Sequence, residues 1–195
     1  SSLKIGLLIN NAGFGTYGPF DETSTDRQMD MVDLNCTSLT GMCGVALPYL
    51  SKGSVVINTA SLAAFMPLGN FAVYGASKAY ALSFSVALAA ELKPKGIKVC
   101  ALCPGSVSTE FANVASGGVR KEVKGGHDPV KVVAHCLKKA FKGKTIAIWY
   151  PKWKFTAFLS RLVSRNLVAW YTFNYNKRPH PVEKKTEEVS ISDFM

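Results

Sequence analysis

The amino-acid sequence predicts an α/β fold in which helices cover both faces of one parallel, doubly wound sheet. Short apolar runs alternate with longer segments of helical periodicity over most of the chain, an order that is typical of parallel sheets. The chain has 195 residues, of which 48% are hydrophobic and 18% are charged, so a single buried core is expected. Polar or glycine-containing turns follow three of the apolar runs directly. This indicates one shared site at the carboxyl edge of the sheet.

Four apolar runs are predicted to be strands because they contain β-branched residues and end at turn residues: 3–10, 54–59, 97–103 and 145–150. An Asn-Asn-Ala-Gly turn at 10–13 follows the first strand, Ser61 lies just after the second, and Pro104 stops the third. The carboxyl ends of parallel strands share one edge of a sheet. We therefore expect these turns to meet.

Three segments between the strands are predicted to be helices: 24–50, 70–92 and 129–141. The first has Thr23, Ser24 and Thr25 as candidate N-caps and Asp26 in its first turn. The second is rich in alanine, and the third begins with Pro129 at a position that a helix tolerates. Helices of this length between strands provide the crossovers that a parallel sheet requires.

The composition changes at residue 151 and divides the chain into three parts. Residues 1–150 are predicted to form a single α/β domain, 151–175 an amphipathic basic and aromatic helical appendage, and 176–195 a disordered polar tail. Three interpretations of 151–175 remain open. The segment packs over a cleft or a partner subunit, lies on a membrane surface, or docks the phosphates of a carrier protein or coenzyme A.

The positive charge lies mainly in the C-terminal quarter. The net charge is +10, and residues 138–185 hold 12 of the 23 Lys and Arg residues against one acidic residue. No nucleic-acid recognition motif accompanies this charge, so nucleic-acid binding is disfavoured. No uninterrupted apolar run reaches about 18 residues, and a spanning helix is not expected. We expect a cytoplasmic protein, with peripheral membrane contact through 151–175 as an open alternative.

The five cysteines suit a reducing compartment, because their number is odd and their spacing fits no disulfide framework. Cys100 and Cys103 form a Cys-x-x-Cys pair inside a predicted buried strand. Two apolar core residues are favoured there over a redox pair. No second Cys or His pair has the spacing of metal ligands, and no metal site is predicted.

Tyr74 and Lys78 are one helical turn apart and are predicted to act together on a proton. A lysine ammonium beside a phenol favours the phenolate and is expected to lower the tyrosine pKa, which makes general acid/base catalysis feasible. Ser61 is positioned to hydrogen-bond a substrate oxygen. Asn35, inside the first helix, is expected to hold a water that connects Lys78 to solvent. Together these groups suit carbonyl and alcohol chemistry.

Five elements in this order resemble the short-chain dehydrogenases/reductases of the single-domain type: Asn-Asn-Ala-Gly at 10–13, Asn35, Ser61, Tyr74-x-x-x-Lys78 and Pro104-Gly105-x-x-x-Thr109. The resemblance covers residues 3 to about 150. It implies a Rossmann-like fold, transfer of a hydride between NAD(P)(H) and a carbonyl or secondary alcohol, and assembly as a homodimer or homotetramer.

The resemblance also implies roles for individual residues. Tyr74 would be the general acid/base, Lys78 would tune it and bind the nicotinamide ribose, Ser61 would bind the substrate oxygen, and Asn35 would relay protons. The catalytic set is therefore Asn35, Ser61, Tyr74 and Lys78. The cofactor-binding set implied by the resemblance is Asn11, Ala12, Gly13, Tyr74, Lys78, Pro104, Gly105, Val107 and Thr109.

The family's glycine-rich phosphate turn, of the type Thr-Gly-x-x-x-Gly-x-Gly, has no counterpart before Asn10. We expect the N-terminal cofactor-binding portion, about three strands with their helices, to be missing from these residues. The residue that selects NAD or NADP is missing with it, and NADP is slightly preferred. Either the sequence is part of a longer protein, or it is a truncated product that serves as a non-catalytic dimerisation or regulatory module. An intact mass and an NADPH titration separate these alternatives.

The residues after Ser61, at 62–68, are apolar, and no Arg or Lys lies near them in the sequence. We therefore expect a hydrophobic carbonyl or alcohol substrate, such as a steroid, a lipid or a 3-oxoacyl chain. The stretch is also similar to the branch of the family that contains 17β-hydroxysteroid dehydrogenases and 3-oxoacyl reductases.

Overall fold

The computed structural model describes residues 3–121 and 125–181. Its parallel sheet has the order β1-β2-β3-β4, and the strands are Ile5–Asn10, Leu50–Thr59, Lys98–Leu102 and Ile146–Ala147. The predicted parallel α/β sheet is confirmed. The second strand begins four residues earlier than the sequence indicated, because the chain continues in extended conformation through Gly53, whose φ of 96° favours glycine.

Seven α-helices surround this sheet in the described residues, and they run from α1 to α7 in chain order: Thr25–Val32, Leu39–Ala46, Ala72–Leu92, Phe111–Ala115, Pro129–Phe141, Pro151–Leu159 and Arg165–Tyr175. A π-helical turn, Asp33–Ser38, joins α1 to α2. The single helix predicted over 24–50 is therefore three consecutive pieces. Its N-terminus is as expected, with the Ser24 hydroxyl accepting from the Arg27 amide.

The core is formed by the two central strands and the helices on their two faces. Val55 and Ile57 of β2 pack with Cys100 of β3 against Val132 and Cys136 of α5. On the other face, Val56 and Val99 pack against Ala89 and Leu92 of α3. Side chains of a central strand alternate between two covered faces, and both sets are apolar, as expected for a doubly wound sheet.

Cys100 and Cys103 are 1% and 0% exposed and pack in the core. The prediction that they are apolar core residues is confirmed.

A line of buried polar side chains ties β1 and β2 to α3. Asn10 Nδ2 donates to Asn58 Oδ1 at 2.8 Å, and Asn58 Nδ2 donates to Ser85 Oγ at 2.9 Å. Ser85 in turn donates to the Ala81 carbonyl at 2.6 Å. Asn58 and Ser85 are fully buried, so this satisfied network fixes the end of β1 relative to the long helix.

The segment predicted as one helix over 151–175 consists of α6 and α7. Trp153 and Ala157 of α6 pack with Leu62 and Phe65 of the loop after β2. The last turn of α7 and the chain that follows it run along the domain, and we call residues 172–181 the C-terminal strap. Residues 176–181, where a disordered tail was predicted to begin, contact the domain through Arg178 and His180. The rest of the predicted tail, 182–195, lies outside the described residues.

Within the described ranges, none of the helices combines the length and the apolar character needed to span a membrane.

Candidate active site

The candidate site lies at the carboxyl edge of the sheet, where the loops after β1, β2 and β3 come together beside α3. The Leu62 amide donates to the Pro104 carbonyl at 2.8 Å, which joins the loop of Ser61 to the loop after β3. Lys78 Nζ donates to the Thr59 carbonyl at 2.8 Å, which joins α3 to the end of β2. The structure thus brings the predicted residues of three loops and one helix to one place.

Tyr74 lies in an aromatic cluster and is 7% exposed. Its ring stacks on Phe71, with 4.1 Å between ring centroids, and Phe111 lies 5.3 Å away on another side. Burial raises the pKa of the Tyr74 phenol to about 12, although a hydrogen bond with the Ser61 hydroxyl acts in the opposite direction. The expectation that Lys78 lowers this pKa is wrong for the chain alone, because desolvation outweighs the favourable neighbours.

Lys78 is buried beneath the loop after β1. It is 4% exposed, and its Nζ atom lies 5.7 Å from the centre of the Tyr74 ring. Burial lowers the pKa of Lys78 to about 8. The side chain therefore still carries a charge near neutral pH, but it loses that charge readily as the pH rises.

Asn35 lies in the π-helical turn and is 1% exposed. Its Nδ2 atom donates to the Phe14 carbonyl and to Ser77 Oγ, both at 3.0 Å, and its Oδ1 atom accepts from the Phe14 amide at 3.2 Å. Single π-helical turns are frequent at functional sites because they redirect one side chain. The side chain of Asn35 thus positions the loop after β1, and its role in a water relay stays a prediction.

Gly13 is the point at which the loop after β1 crosses these polar groups. A Cβ atom there would lie 2.6 Å from Asn35 Oδ1 and 3.2 Å from Lys78 Nζ. Residues 11–13 are exposed on their other side, and Asn11 Oδ1 accepts from Thr59 Oγ1 at 3.0 Å. Because Gly13 has no side chain, the loop can lie close over these buried polar atoms, and its exposed side is open to the close approach of a ligand.

The loop after β3 contains the remaining predicted cofactor residues. Val107 forms a bridge with His127, and Thr109 Oγ1 accepts from the Phe111 amide at 3.4 Å near the start of α4. Gly105 lies against the indole of Trp153, so a Cβ atom there would be 2.5 Å from that ring. Trp153 was predicted to lie in the helical appendage, with no role in the site. The helical spacing of the aromatic residues in 151–175 is the signal that could have indicated its packing against the domain.

Arg178 was missed by the sequence reasoning. Its Cζ atom lies 4.6 Å from the centre of the Phe71 ring and 5.2 Å from that of Tyr17. Its charge acts to lower the pKa of Tyr74. No Arg or Lys lies near residues 62–68 in the sequence, but the fold brings Arg178 to Phe71 and Tyr17 of the same aromatic cluster as Tyr74. Arg178 arrives from more than 100 residues away, and no local pattern indicates it.

The match to a known family covers the loops and the helix that carry the predicted catalytic residues. A family model for short chain dehydrogenases matches residues 2–118, which include every catalytic residue predicted above. The chain belongs to the short-chain dehydrogenase/reductase family. The Rossmann-like sheet and the predicted family are thereby confirmed.

Curated relatives cover the same region. The chain is 37% identical over 120 residues to the sulfoacetaldehyde reductase of Chromohalobacter salexigens, a match covering 59% of this chain and 47% of the relative. It is 33% identical over 124 residues to the 17-beta-hydroxysteroid dehydrogenase type 3 of Mus musculus, covering 61% of this chain and 40% of the relative. The chain thus spans about half the length of the curated relatives that it matches.

Solved structures of the family share the fold. A short-chain dehydrogenase from Sphingobium yanoikuyae in complex with NADPH superposes with a TM-score of 0.69 at 26% identity, covering 81% of this chain and 63% of that one. A family member from Burkholderia phymatum in complex with NAD has a TM-score of 0.74 at 19% identity, covering 96% and 71% of the two chains. The second likeness shows the fold alone, and it extends over nearly the whole chain.

Proposed function

We propose that the chain carries the catalytic part of an NAD(P)-dependent oxidoreductase that transfers a hydride between a nicotinamide and a carbonyl or secondary alcohol. The main support is the arrangement around Tyr74. The Ser61 hydroxyl acts to lower the pKa of the phenol, and the Lys78 Nζ atom lies 5.7 Å from the centre of its ring. This combination of a protonated phenol, a hydroxyl and a cation fits proton transfer to a carbonyl oxygen.

In this proposal Tyr74 Oη donates a proton to the oxygen of the bound carbonyl. Ser61 would hold that oxygen against the phenol, because its hydroxyl is close enough to Tyr74 to act on the pKa of the phenol. The positive charge of Lys78 stabilises the phenolate that forms when the proton leaves. Asn35 donates a hydrogen bond to the Phe14 carbonyl and so holds the loop after β1 in place over Lys78.

The exposed backbone at 11–13 and the loop 104–109 fit a dinucleotide at this edge of the sheet. Asn11, Ala12 and Gly13 would hold its adenosine side, and Pro104, Gly105, Val107 and Thr109 would hold its nicotinamide side. The steric limit at Gly13 fits this assignment, because a Cβ there would displace Asn35 or Lys78 from beneath the loop. When bound, the nicotinamide supplies or accepts the hydride. Either NADP or NAD is compatible with these residues, and we propose NADP.

We propose a hydrophobic substrate of the steroid, lipid or 3-oxoacyl type. Tyr74 packs in a cluster with Tyr17, Leu68 and Phe71, and with the partly buried Met66. An apolar lining with few polar groups is the usual composition of a small-molecule site. The names of the relatives span sulfoacetaldehyde and 17-beta-hydroxysteroids, so the support comes from the lining of the site and not from the relatives.

A titration with NADPH tests the proposal and its alternative, a non-catalytic dimerisation or regulatory module. The complete gene product and residues 1–195 are titrated in parallel with NADPH and NADH, and nicotinamide fluorescence is recorded. We expect a saturable change for the complete product. If neither nucleotide changes the signal, the non-catalytic module becomes the better account.

We further propose that the protein is a cytoplasmic homodimer or homotetramer. Met29, Val32 and Val45 on α1 and α2, together with Tyr80 and Val86 on α3, are all at least 39% exposed. Exposed apolar groups on neighbouring helices are a plausible subunit interface by their chemistry. Sedimentation equilibrium of the wild type and of Met29→Glu measures the assembly, and a wild-type monomer at all concentrations would contradict it.

A further inference from the structure

The C-terminal strap is docked at both ends. At its start the Gly69 amide donates to Thr172 Oγ1 at 2.9 Å, and Asn70 Nδ2 donates to the Phe173 carbonyl at 2.9 Å. Near its end His180 Nε2 donates to Glu22 Oε2 at 2.9 Å. These contacts hold the chain between them at a defined place over the cluster of Tyr74.

The strap packs closely against three glycines of the domain. A Cβ atom at Gly69 would lie 2.5 Å from Phe173 Cβ, and one at Gly117 would lie 2.9 Å from Pro181 Cγ. Gly18 approaches the His180 ring in the same way, at 2.7 Å. Any side chain at these positions would displace the strap, so its path depends on all three glycines.

Arg178 lies between the two anchors and points its guanidinium at the aromatic cluster. Cζ is 4.6 Å from the centre of the Phe71 ring, and Phe71 is itself stacked on Tyr74 at 4.1 Å. Arg178 thus contacts a ring that itself contacts Tyr74, and its charge acts to lower the pKa of the Tyr74 phenol.

The guanidinium is half-buried, and within residues 3–121 and 125–181 no carboxylate lies within ion-pair distance of it. Withdrawing a charge from water without an opposite charge is costly, and cation–π contacts with Phe71 and Tyr17 offset only part of that cost. Burial, and to a smaller extent the charge of Arg120, lower the pKa of Arg178. An anion is the ligand that such a place favours, and a guanidinium can bind a carboxylate through two parallel hydrogen bonds.

We infer that Arg178 is an anion-binding residue of the substrate site, and that the substrate carries a carboxylate or similar small anionic group a few bonds from its carbonyl. The inference rests on the proposed role of Tyr74 at the carbonyl oxygen. It narrows the hydrophobic substrate to an amphipathic one, with an apolar body, a carbonyl and a nearby negative charge.

Direct binding tests this inference without turnover. The complete protein is titrated calorimetrically with 4-oxododecanoate and with its methyl ester, which differ in the anionic group. We expect the acid to bind at least about ten-fold more tightly, the size of effect that one charge-assisted hydrogen-bonded pair gives. In Arg178→Gln this preference should disappear while the ester binds as before, and Arg178→Lys should keep part of it.

Arg161→Gln is the matched control, because it removes the same charge from an exposed position between α6 and α7. It should keep the wild-type preference for the acid. Equal binding of acid and ester by the wild type, or an unchanged preference in Arg178→Gln, would overturn the inference. An equal loss for both ligands in Arg178→Gln would show that Arg178 only supports the strap, which also overturns it. If the acid is preferred but neither ligand is reduced by NADPH, the anion site stands and the hydride-transfer proposal fails.

Discussion

Tyr74 and Lys78 are both buried, and burial acts in opposite directions on their charge states. The pKa of Tyr74 is raised to about 12 and that of Lys78 is lowered to about 8. Near neutral pH the phenol therefore keeps its proton and the ammonium keeps most of its charge. That combination suits donation of a proton to a carbonyl oxygen, which is the reductive direction of the proposed reaction.

Replacing Lys78 by methionine is expected to change the dependence of stability on pH. The pKa of Lys78 falls from 10.5 in the unfolded chain to about 8 in the folded one, so the folded chain releases this proton first and stability rises as pH goes from 8 to 10.5. Urea unfolding of Lys78→Met should lack this rise. Its free-energy difference from the wild type should shift by about 3 kcal/mol over that range. A constant difference would show that the ammonium is not desolvated.

Substituting alanine at Gly13 is expected to destabilise the site. The added methyl group would meet Asn35 Oδ1 at 2.6 Å, and overpacking of this kind costs about 1–3 kcal/mol. Gly44→Ala is the control, because an added Cβ there meets nothing within 4 Å inside helix α2, and it should be neutral or stabilising by up to about 1 kcal/mol. Equal effects of the two changes, measured by thermal unfolding, would argue against the close approach at Gly13.

Helices α6 and α7 expose aromatic side chains beside basic ones. We therefore still propose that residues 151–175 make peripheral contact with a membrane. Phe155, Phe158 and Trp170 are 63%, 58% and 55% exposed, and Lys152 and Lys154 lie on the same segment. Sedimentation with vesicles containing phosphatidylserine should retain the wild type and lose Phe155→Ser/Trp170→Ser. Val130→Ser on α5 is the control because that side chain is 73% exposed outside the segment. Binding that survives the double change would exclude this contact.

At the level of elements, local patterns predicted the helix starts, the strands and the order of the motifs. Ser24 and Asp128 act as side-chain caps in the structure, and both lie where polar residues precede apolar periodicity. The π-helical turn around Asn35 was not predicted, because it depends on the contacts of Asn35 with Phe14 and Ser77 from distant segments.

The position of Arg178 was not predictable for the same reason. It depends on the packing of the strap against three glycines. Those glycines are far from the strap in the sequence, and local sequence patterns do not predict contacts between distant segments. The catalytic motifs, by contrast, follow their strands directly, and their placement needed only the parallel sheet.

At the scale of the whole molecule, β1 and β4 are the two edge strands of the sheet in the described residues, and β1 is the longer of the two. Strand β1 pairs with β2 on one side, and Leu7 and Ile9 are 39% and 49% exposed. Exposed apolar edge strands promote association between chains. Static light scattering of residues 1–195 should report association that Ile9→Lys reduces. Val130→Lys, a change at another exposed valine, should leave it unchanged, and a monodisperse monomer in every case would contradict this reading of β1.

The central claim is that Tyr74 is the proton donor of a hydride-transfer site, and steady-state oxidation of NADPH by the complete protein tests it most directly. With an amphipathic ketone such as 4-oxododecanoate, Tyr74→Phe should lower kcat by at least about 100-fold, the contribution expected of a positioned general acid. The Kd for NADPH should stay within about three-fold of the wild type, because the phenol hydroxyl is the only atom removed. Wild-type turnover by Tyr74→Phe, with the nucleotide still bound, would contradict the account.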